Sequence, residues 1–264
     1  MLMRSFSWEL GVCRMIKENY FVLKIFIIGL LGVMSLLLSD FQNSIELPQE
    51  ITSQFSSRQI QLLVLVNPLI FLSLAVLIGS RCFGKVGLKA PILSSKFDLE
   101  KHQPLIREFL KVGVISGIGL GIILILVSIF SEKMINSELV NSQLNSELSL
   151  VTRLMYGGIT EEIIMRFGLM TFLVWIMSKI TKSESNSVFL VAILISSLLF
   201  AVTHLPVVYA TFEVVSLGLV TYILIANSIG GLVYGYLYWK KGLECSMISH
   251  MTTHITFVVF IFLF

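Results

Sequence analysis

Residues 187–204 read SVFLVAILISSLLFAVTH, 18 positions without Asp, Glu, Lys or Arg. A stretch this long and apolar is typical of a helix that crosses the hydrocarbon core of a membrane, which takes about 20 residues. Similar stretches recur along the chain. The sequence therefore predicts an all-α polytopic bundle with about seven spans, at 20–39, 60–79, 112–130, about 152–177, 187–204, about 214–239 and 243–264.

The composition of the whole chain agrees with a membrane protein. Of 264 residues, 56% are hydrophobic and 13% are charged, whereas a soluble domain has about 25% charged residues. This excludes a disordered chain, a nucleic-acid-binding domain and an ordinary soluble enzyme. The net charge of +3 is too small to imply a polyanionic partner. Cys13, Cys82 and Cys245 are widely separated and indicate neither a disulfide framework nor a thiolate zinc site.

Basic residues between the spans predict the orientation. Lys and Arg are frequent in the N-terminal stretch, in the loop at 80–108 and after the fourth and sixth spans, but rare in the connectors 40–59 and 131–149. By the positive-inside rule, we expect a cytoplasmic N-terminus. His102 in the basic loop is expected to be solvated. Lys24 in the first span is expected to reach the membrane interface.

Residues 207–239 leave the number of spans open, because they are almost continuously apolar. One helix of that length would measure about 50 Å, against a hydrocarbon core of about 30 Å. Two short crossings that meet near residues 227–231 would give eight spans. A single crossing after an interfacial stretch at 207–213 is favoured, because it leaves Lys240 and Lys241 on the basic side.

Three charged residues interrupt the fourth span, in the stretch YGGITEEIIMRF at 156–167. Each costs about 2.5–3.5 kcal/mol at the centre of a membrane helix, which indicates a function. Glu162 and Arg166 have the spacing and order of a helical ion pair, and Glu161 points about 100° away. Glu161 is then a candidate general base in a cavity. The alternative is a structural charge cluster that locks two helices together.

Histidines accompany these charges in apolar segments. His204 follows Phe200 by four positions, and His250 and His254 lie on one face of the last helix. A lone histidine of this kind is more often an interface residue than a catalyst. Three histidines and two glutamates on three helices favour a site, because imidazole donates hydrogen bonds, accepts protons and binds metals near neutral pH. We expect Glu161, His204 and His250 to meet at one depth in the membrane.

These residues resemble the CPBP family, also called the ABI or CAAX-protease family. It contains the type II CAAX prenyl endopeptidases and relatives linked to bacteriocin processing and immunity. The family pattern of EExxxR, FxxxH and HxxxN corresponds here to Glu161-Glu162-x-x-x-Arg166, Phe200-x-x-x-His204 and His250-x-x-x-His254, with histidine in place of the final asparagine. The resemblance covers residues 150–257 approximately. It divides the chain into an N-terminal three-span region, 1–149, and a catalytic region, 150–264.

The resemblance implies an intramembrane endopeptidase, in a bacterial cell membrane, that cleaves a peptide or a membrane-anchored protein. It implies that Glu161 activates water with the help of His204, while His250 and His254 stabilise the oxyanion. Supporting roles follow for Glu162, Arg166 and Phe200. In the older view of the family as metalloproteases, the zinc ligands would be Glu161, His204 and His250. Because HExxH is absent, a mechanism without zinc or another cofactor is favoured.

Two other classes of function stay open. One is a non-catalytic bacteriocin-immunity or regulatory membrane protein that has kept the protease fold. The other is a transporter with Glu161 and Glu162 as proton carriers, which the lack of an internal repeat disfavours. The expected partners are a peptide or membrane-anchored protein substrate and the lipid bilayer, without nucleic acid. The sequence predicts neither a prenyl group on the substrate nor an oligomeric state.

Overall fold

The computed structural model describes residues 2–39, 54–96, 98–132, 149–212 and 214–263, with side chains from Asn19 onward. Within these ranges the chain forms helices and no strand, and seven helical segments are long and apolar enough to cross a membrane. The predicted all-α fold is confirmed, and the protein is an integral membrane protein. The predicted connectors 40–59 and 131–149 lie largely outside the described residues.

The N-terminal part contains α1 (Leu2–Ser35), which continues into a 3₁₀ turn (Leu36–Leu38), then α2 (Ser57–Val64), α3 (Val66–Phe83) and α4 (Leu99–Glu132). The C-terminal part contains α5 (Leu150–Thr181), α6 (Asn186–Val202), α7 (Leu205–Thr211), α8 (Leu217–Lys240) and α9 (Leu243–Leu263). Helices α2 and α3 together make one span, as do α6 and α7.

The apolar segment at 207–239 contains one long helix. Helix α8 has 24 residues, which is about 36 Å at 1.5 Å per residue. Ser216 caps its start, because the hydroxyl accepts a hydrogen bond from the Leu219 backbone N–H at 3.1 Å. The short helix α7 precedes it, with Pro206 in the first turn. This arrangement agrees with the favoured single crossing and not with two short crossings.

Helix α5 is wider than an α-helix over most of its length. Arg153–Glu161 and Ile163–Met170 are π-helical, and α-helical turns flank them. The backbone N–H of Thr171 donates to the carbonyl of Arg166, five residues earlier, and the Thr171 hydroxyl donates to the same oxygen at 3.1 Å. π-Helical turns are rare and frequently occur at functional sites. All three charges that interrupt the fourth span therefore lie in or between π-helical turns.

Helix α1 packs closely against this wide helix. The Thr160 hydroxyl donates to the carbonyl of Gly29 at 2.8 Å. A Cβ on Gly32 would collide with the Thr160 hydroxyl and with the carbonyl of Met155. Only glycine lets the two backbones approach this closely, as at small-residue contacts between other membrane helices. The N-terminal region thus supports the helix that carries the glutamates.

The main apolar core lies between α1, α3, α5 and α6. The rings of Phe21, Phe83 and Phe167 contact one another, with centroids 5.3–5.7 Å apart. Leu72 and Ile163 are completely buried beside them. Many large apolar side chains on the outside of the bundle are exposed, as expected for helices that face lipid.

The connection between α3 and α4 packs against the bundle. Glu244, in the first turn of α9, accepts hydrogen bonds from the backbone N–H groups of Ile92 and Leu93, both at 2.8 Å. Lys24 donates to the carbonyl of Ser95 at 2.9 Å, so its ammonium group is held by the protein. Buried backbone N–H groups need such partners outside regular structure. The connection is therefore fixed to α1 and α9 by polar side chains.

Two expectations for this connection are wrong. The predicted loop at 80–108 is shorter, because α4 begins at Leu99 and carries its charged residues exposed on its first turns. His102 is 6% exposed rather than solvated. Its Nε2 lies 2.8 Å from the Ser95 hydroxyl and its Nδ1 lies 2.7 Å from the Asp98 carbonyl, so burial leaves both ring nitrogens with partners.

The Glu244 contacts predict a stability difference between two substitutions. We expect Glu244→Ala to destabilise the protein by about 1–3 kcal/mol, because it leaves the N–H groups of Ile92 and Leu93 without an acceptor. Glu244→Gln keeps an acceptor oxygen and should cost less. Thermal unfolding in detergent measures both effects, with the exposed Glu100→Gln as control. Equal losses for the alanine and glutamine variants would contradict this role.

Candidate active site

Glu162 is the centre of a buried cluster between α5 and α9. Its Oε1 accepts a hydrogen bond from Nδ1 of His250 at 3.0 Å, and its Oε2 accepts one from the Ser246 hydroxyl. Oε2 also lies 3.5 Å from Nε of Arg166, and both of these side chains are completely inaccessible. The predicted ion pair between Glu162 and Arg166 is confirmed. Both oxygens of Glu162 are thus occupied.

Arg166 is held by charge and by an aromatic face. Its Cζ lies 5.3 Å from the centroid of the Phe200 ring, a cation–π arrangement. None of its three guanidinium nitrogens has a hydrogen-bond partner among the described residues. The ion pair with Glu162 is therefore the main compensation for burying this charge.

Phe200 brings the histidines of two helices together. Its ring lies edge-on to His204 of the same segment at 4.7 Å and to His250 of α9 at 6.1 Å, centroid to centroid. The centroids of the two imidazoles are therefore closer than the sum of these distances. That is within the separation of about 12 Å that one hydrated substrate carbonyl can bridge.

The hydrogen bonds of these histidines define which nitrogen is available for chemistry. Nδ1 of His204 lies 2.8 Å from the carbonyl of Phe200, and Nδ1 of His250 contacts the Glu162 carboxylate. A carbonyl and a carboxylate only accept hydrogen bonds, so each Nδ1 carries a proton. Nε2 is then the nitrogen left to bind water or substrate in both rings.

Two residues that sequence reasoning did not select complete the surroundings of His250. Tyr234 of α8 is 2% exposed and stacks on the His250 ring with centroids 4.2 Å apart. No motif in the sequence identifies this tyrosine. Ser246 lies four positions before His250 on the same helix, and this spacing could have found it. Together with Glu162, these residues fix the position of the imidazole.

His254 lies against a glycine of the wide helix. Its ring stacks on His250 at 4.9 Å, and its Nε2 is buried without a hydrogen-bond partner among the described residues. A Cβ on Gly157 would lie 2.6 Å from this nitrogen. Because Gly157 has no side chain, the imidazole can approach the backbone of α5.

Glu161 differs from its neighbour in having no partner. It is half-buried, and within the described residues it makes neither a hydrogen bond nor an ion pair. Glu161 follows Gly157 by four positions on α5, and the His254 ring approaches the backbone at Gly157. The structure thus places an unengaged carboxyl beside a fully engaged one.

The arrangement of these side chains does not form a metal cage. Among the described residues, no three His, Cys, Asp or Glu side chains are gathered closely enough to hold a metal ion. The alternative zinc ligands Glu161, His204 and His250 are all among those residues and do not form such a group.

Fold and cluster together are of the kind expected for an enzyme embedded in the membrane, with its reactive side chains inside the bundle. Residues 143–256 match the family described as type II CAAX prenyl endopeptidase Rce1-like. This confirms the resemblance over the C-terminal part of the chain, and the family points to a protease. The match does not favour a non-catalytic immunity protein. No curated protein and no solved structure shows significant similarity to the chain.

The close approach at Gly157 predicts a specific loss of function. We expect Gly157→Ala to lower turnover about tenfold or more, because the added methyl group displaces Nε2 of His254, and small misplacements at a site are costly. A Cβ on Gly119 of α4 would meet nothing within 4 Å, so Gly119→Ala is the matched control. Wild-type turnover in Gly157→Ala would show that the position of His254 does not matter.

Proposed function

We propose that the protein is an intramembrane endopeptidase that hydrolyses a peptide bond with a water activated by Glu161. One observation carries this assignment. Glu162 has both oxygens engaged by His250, Ser246 and Arg166, whereas the adjacent Glu161 has no partner and is half-buried. A carboxylate already saturated with donors is a poor base. An unengaged one inside an apolar bundle suits general-base chemistry.

His204 supports the same water in this proposal. Its Nδ1–H is used by the Phe200 carbonyl, so Nε2 presents a lone pair that accepts a hydrogen bond from water. Glu161 removes a proton from that water, and the water oxygen forms a bond to the scissile carbonyl carbon. The proton then passes from Glu161 to the leaving nitrogen as the C–N bond breaks. The products are a carboxyl and an amine, so atoms and charge balance.

His250 and His254 serve the oxyanion in this proposal. Because Nδ1 of His250 donates to Glu162, Nε2 donates only when the ring is an imidazolium. Glu162 holds the ring through Nδ1, and Tyr234 holds it by stacking. Oxyanion donors contribute about 3–4 kcal/mol each in soluble proteases. His254 occupies the position of the family's asparagine, and its unpartnered Nε2 supplies a second group at this site.

The substrate in this proposal is a peptide or a membrane-anchored protein. The matched family is named for prenyl endopeptidases, and the apolar surroundings of the site suit a segment that enters from the bilayer. In this proposal the protein lies in a bacterial cell membrane, as the resemblance implies, and the basic residues between the spans support a cytoplasmic N-terminus.

The experiment that tests the proposal is peptide cleavage by purified protein in detergent. A library of prenylated and unprenylated peptides is digested in heavy-oxygen water, and the fragments are weighed by mass spectrometry. Hydrolysis predicts one heavy oxygen in each new carboxyl terminus. Folded protein that cleaves no peptide, or products without the heavy oxygen, would overturn the assignment.

We expect this activity to need no tightly bound metal. The reason is that a carboxylate base and histidine donors are present, while no three ligand side chains are gathered among the described residues. Elemental analysis of active protein should show no stoichiometric zinc, and a chelator should leave turnover unchanged. One zinc per chain, with activity lost to chelator and restored by zinc, would contradict this prediction.

A further inference from the structure

A basic cavity lies at the end of the bundle where α3 and α5 finish, remote from the glutamate and histidine cluster. Its volume is about 240 Å³, and its walls include Lys85, Lys179, Lys182, Trp175 and Ser178. The spans that form it end at Phe83 and Thr181. The cavity is therefore at the level of the membrane interface, where lipid headgroups lie.

The walls of this cavity offer hydrogen-bond donors but few acceptors. Trp175 Nε1 and Ser178 Oγ are buried and have no hydrogen-bond partner among the described residues. Lys85 lies over the Trp175 ring at 5.7 Å, and none of the three lysines forms an ion pair with a described residue. Glu184 is the acidic side chain in the lining and is exposed. The balance of charge is positive, so the cavity suits an anion.

The local backbone brings these donors together. Helix α5 ends at Thr181, and Lys182 follows with a left-handed φ of 51°. The chain then reverses into α6, so that Lys179 and Lys182 stand beside Lys85, which follows the end of α3. Tryptophan and lysine at this level are typical of residues that meet headgroups.

We propose that this cavity binds the phosphate of an anionic phospholipid headgroup. Basic pockets between membrane helices hold such headgroups through lysine charges and hydrogen-bond donors. After small side-chain rotations, the Trp175 N–H and the Ser178 hydroxyl would donate hydrogen bonds to the phosphate. The surrounding lysines would neutralise its charge. Neither the match to the protease family nor the proposed hydrolysis requires this site.

The test compares lipids on purified protein by native mass spectrometry in a neutral detergent. Short-chain phosphatidylglycerol should be retained and phosphatidylcholine should not. The double variant Lys179→Gln/Lys182→Gln should weaken retention about 25-fold, at about fivefold per lysine near an anionic lipid. The matched control is Lys96→Gln/Lys101→Gln, which removes two exposed lysines outside the cavity.

Two further measurements decide whether the cavity itself is the site. Trp175→Phe keeps an aromatic side chain and removes the indole N–H, and should weaken phosphatidylglycerol retention in protein that thermal unfolding shows to be folded. Inorganic phosphate at equal concentration should not displace the lipid. Equal losses in the control and cavity variants, or equal retention of both lipids, would overturn the proposal. Displacement by inorganic phosphate would overturn the lipid assignment and identify free phosphate as the ligand of the cavity.

Discussion

Glu161→Gln should lower peptide hydrolysis by about a hundredfold to ten-thousandfold, the usual contribution of a general base. The amide has nearly the same shape but cannot take a proton from water. Because Glu161 makes no hydrogen bond or ion pair with the described residues, the substitution should leave the midpoint of thermal unfolding unchanged. Turnover and unfolding are measured on the same detergent preparation.

The matched control is Glu100→Gln, the same change at an exposed position near the start of α4. It should keep wild-type turnover. Near wild-type turnover in Glu161→Gln would remove Glu161 from the role of base. A loss accompanied by unfolding would count against the assignment as well, because it would show that Glu161 supports the fold.

Glu162→Ala should be the most destabilising change in the cluster, at about 3–5 kcal/mol, the usual cost of breaking a buried ion pair. It leaves the guanidinium of Arg166 buried without its ion-pair partner, although the cation–π contact with Phe200 stays. Arg166→Met should cost less, because Glu162 keeps the hydrogen bonds from His250 and Ser246. Thermal or denaturant unfolding in detergent measures both variants.

The double variant Glu162→Leu/Arg166→Met separates stability from catalysis. Replacing both partners with apolar groups of similar size is often neutral, so most of the stability should return. Turnover should stay low, because His250 loses the carboxylate that holds its Nδ1. If the double variant is as unstable as Glu162→Ala, the cost comes from lost packing and not from the stranded charge.

Much of the fold could be predicted from hydropathy alone. Long apolar stretches identify membrane helices well because every backbone polar group must be satisfied within the bilayer. The residues at which helices begin and end are harder to predict from hydropathy. Helix α4 extends to Leu99 over residues with several charges, and hydropathy stops at the apolar part. The burial of His102 could not be predicted either, because its partners Ser95 and Asp98 are positioned by the tertiary packing of the connection.

For the candidate site, the sequence predicts pairing within one helix more readily than contacts between helices. Spacing four residues apart on a helix was enough to pair Glu162 with Arg166. It could not show that His250 contacts Glu162, because that contact joins residues 88 positions apart. Tyr234 was missed because a tyrosine in an apolar helix carries no signal of its own.

The π-helical turns of α5 change the spacing at which two acidic side chains of a membrane helix lie near each other. In an α-helix, adjacent side chains diverge by about 100°, so paired carboxylates are usually sought three or four positions apart. More residues per turn narrow that angle, so two consecutive carboxylates in a π-helix lie closer to one face than they do in an α-helix. A search for paired acids that assumes α-helical geometry would pass over such a dipeptide. Two consecutive acids in an apolar run are therefore themselves a reason to look for a widened helix.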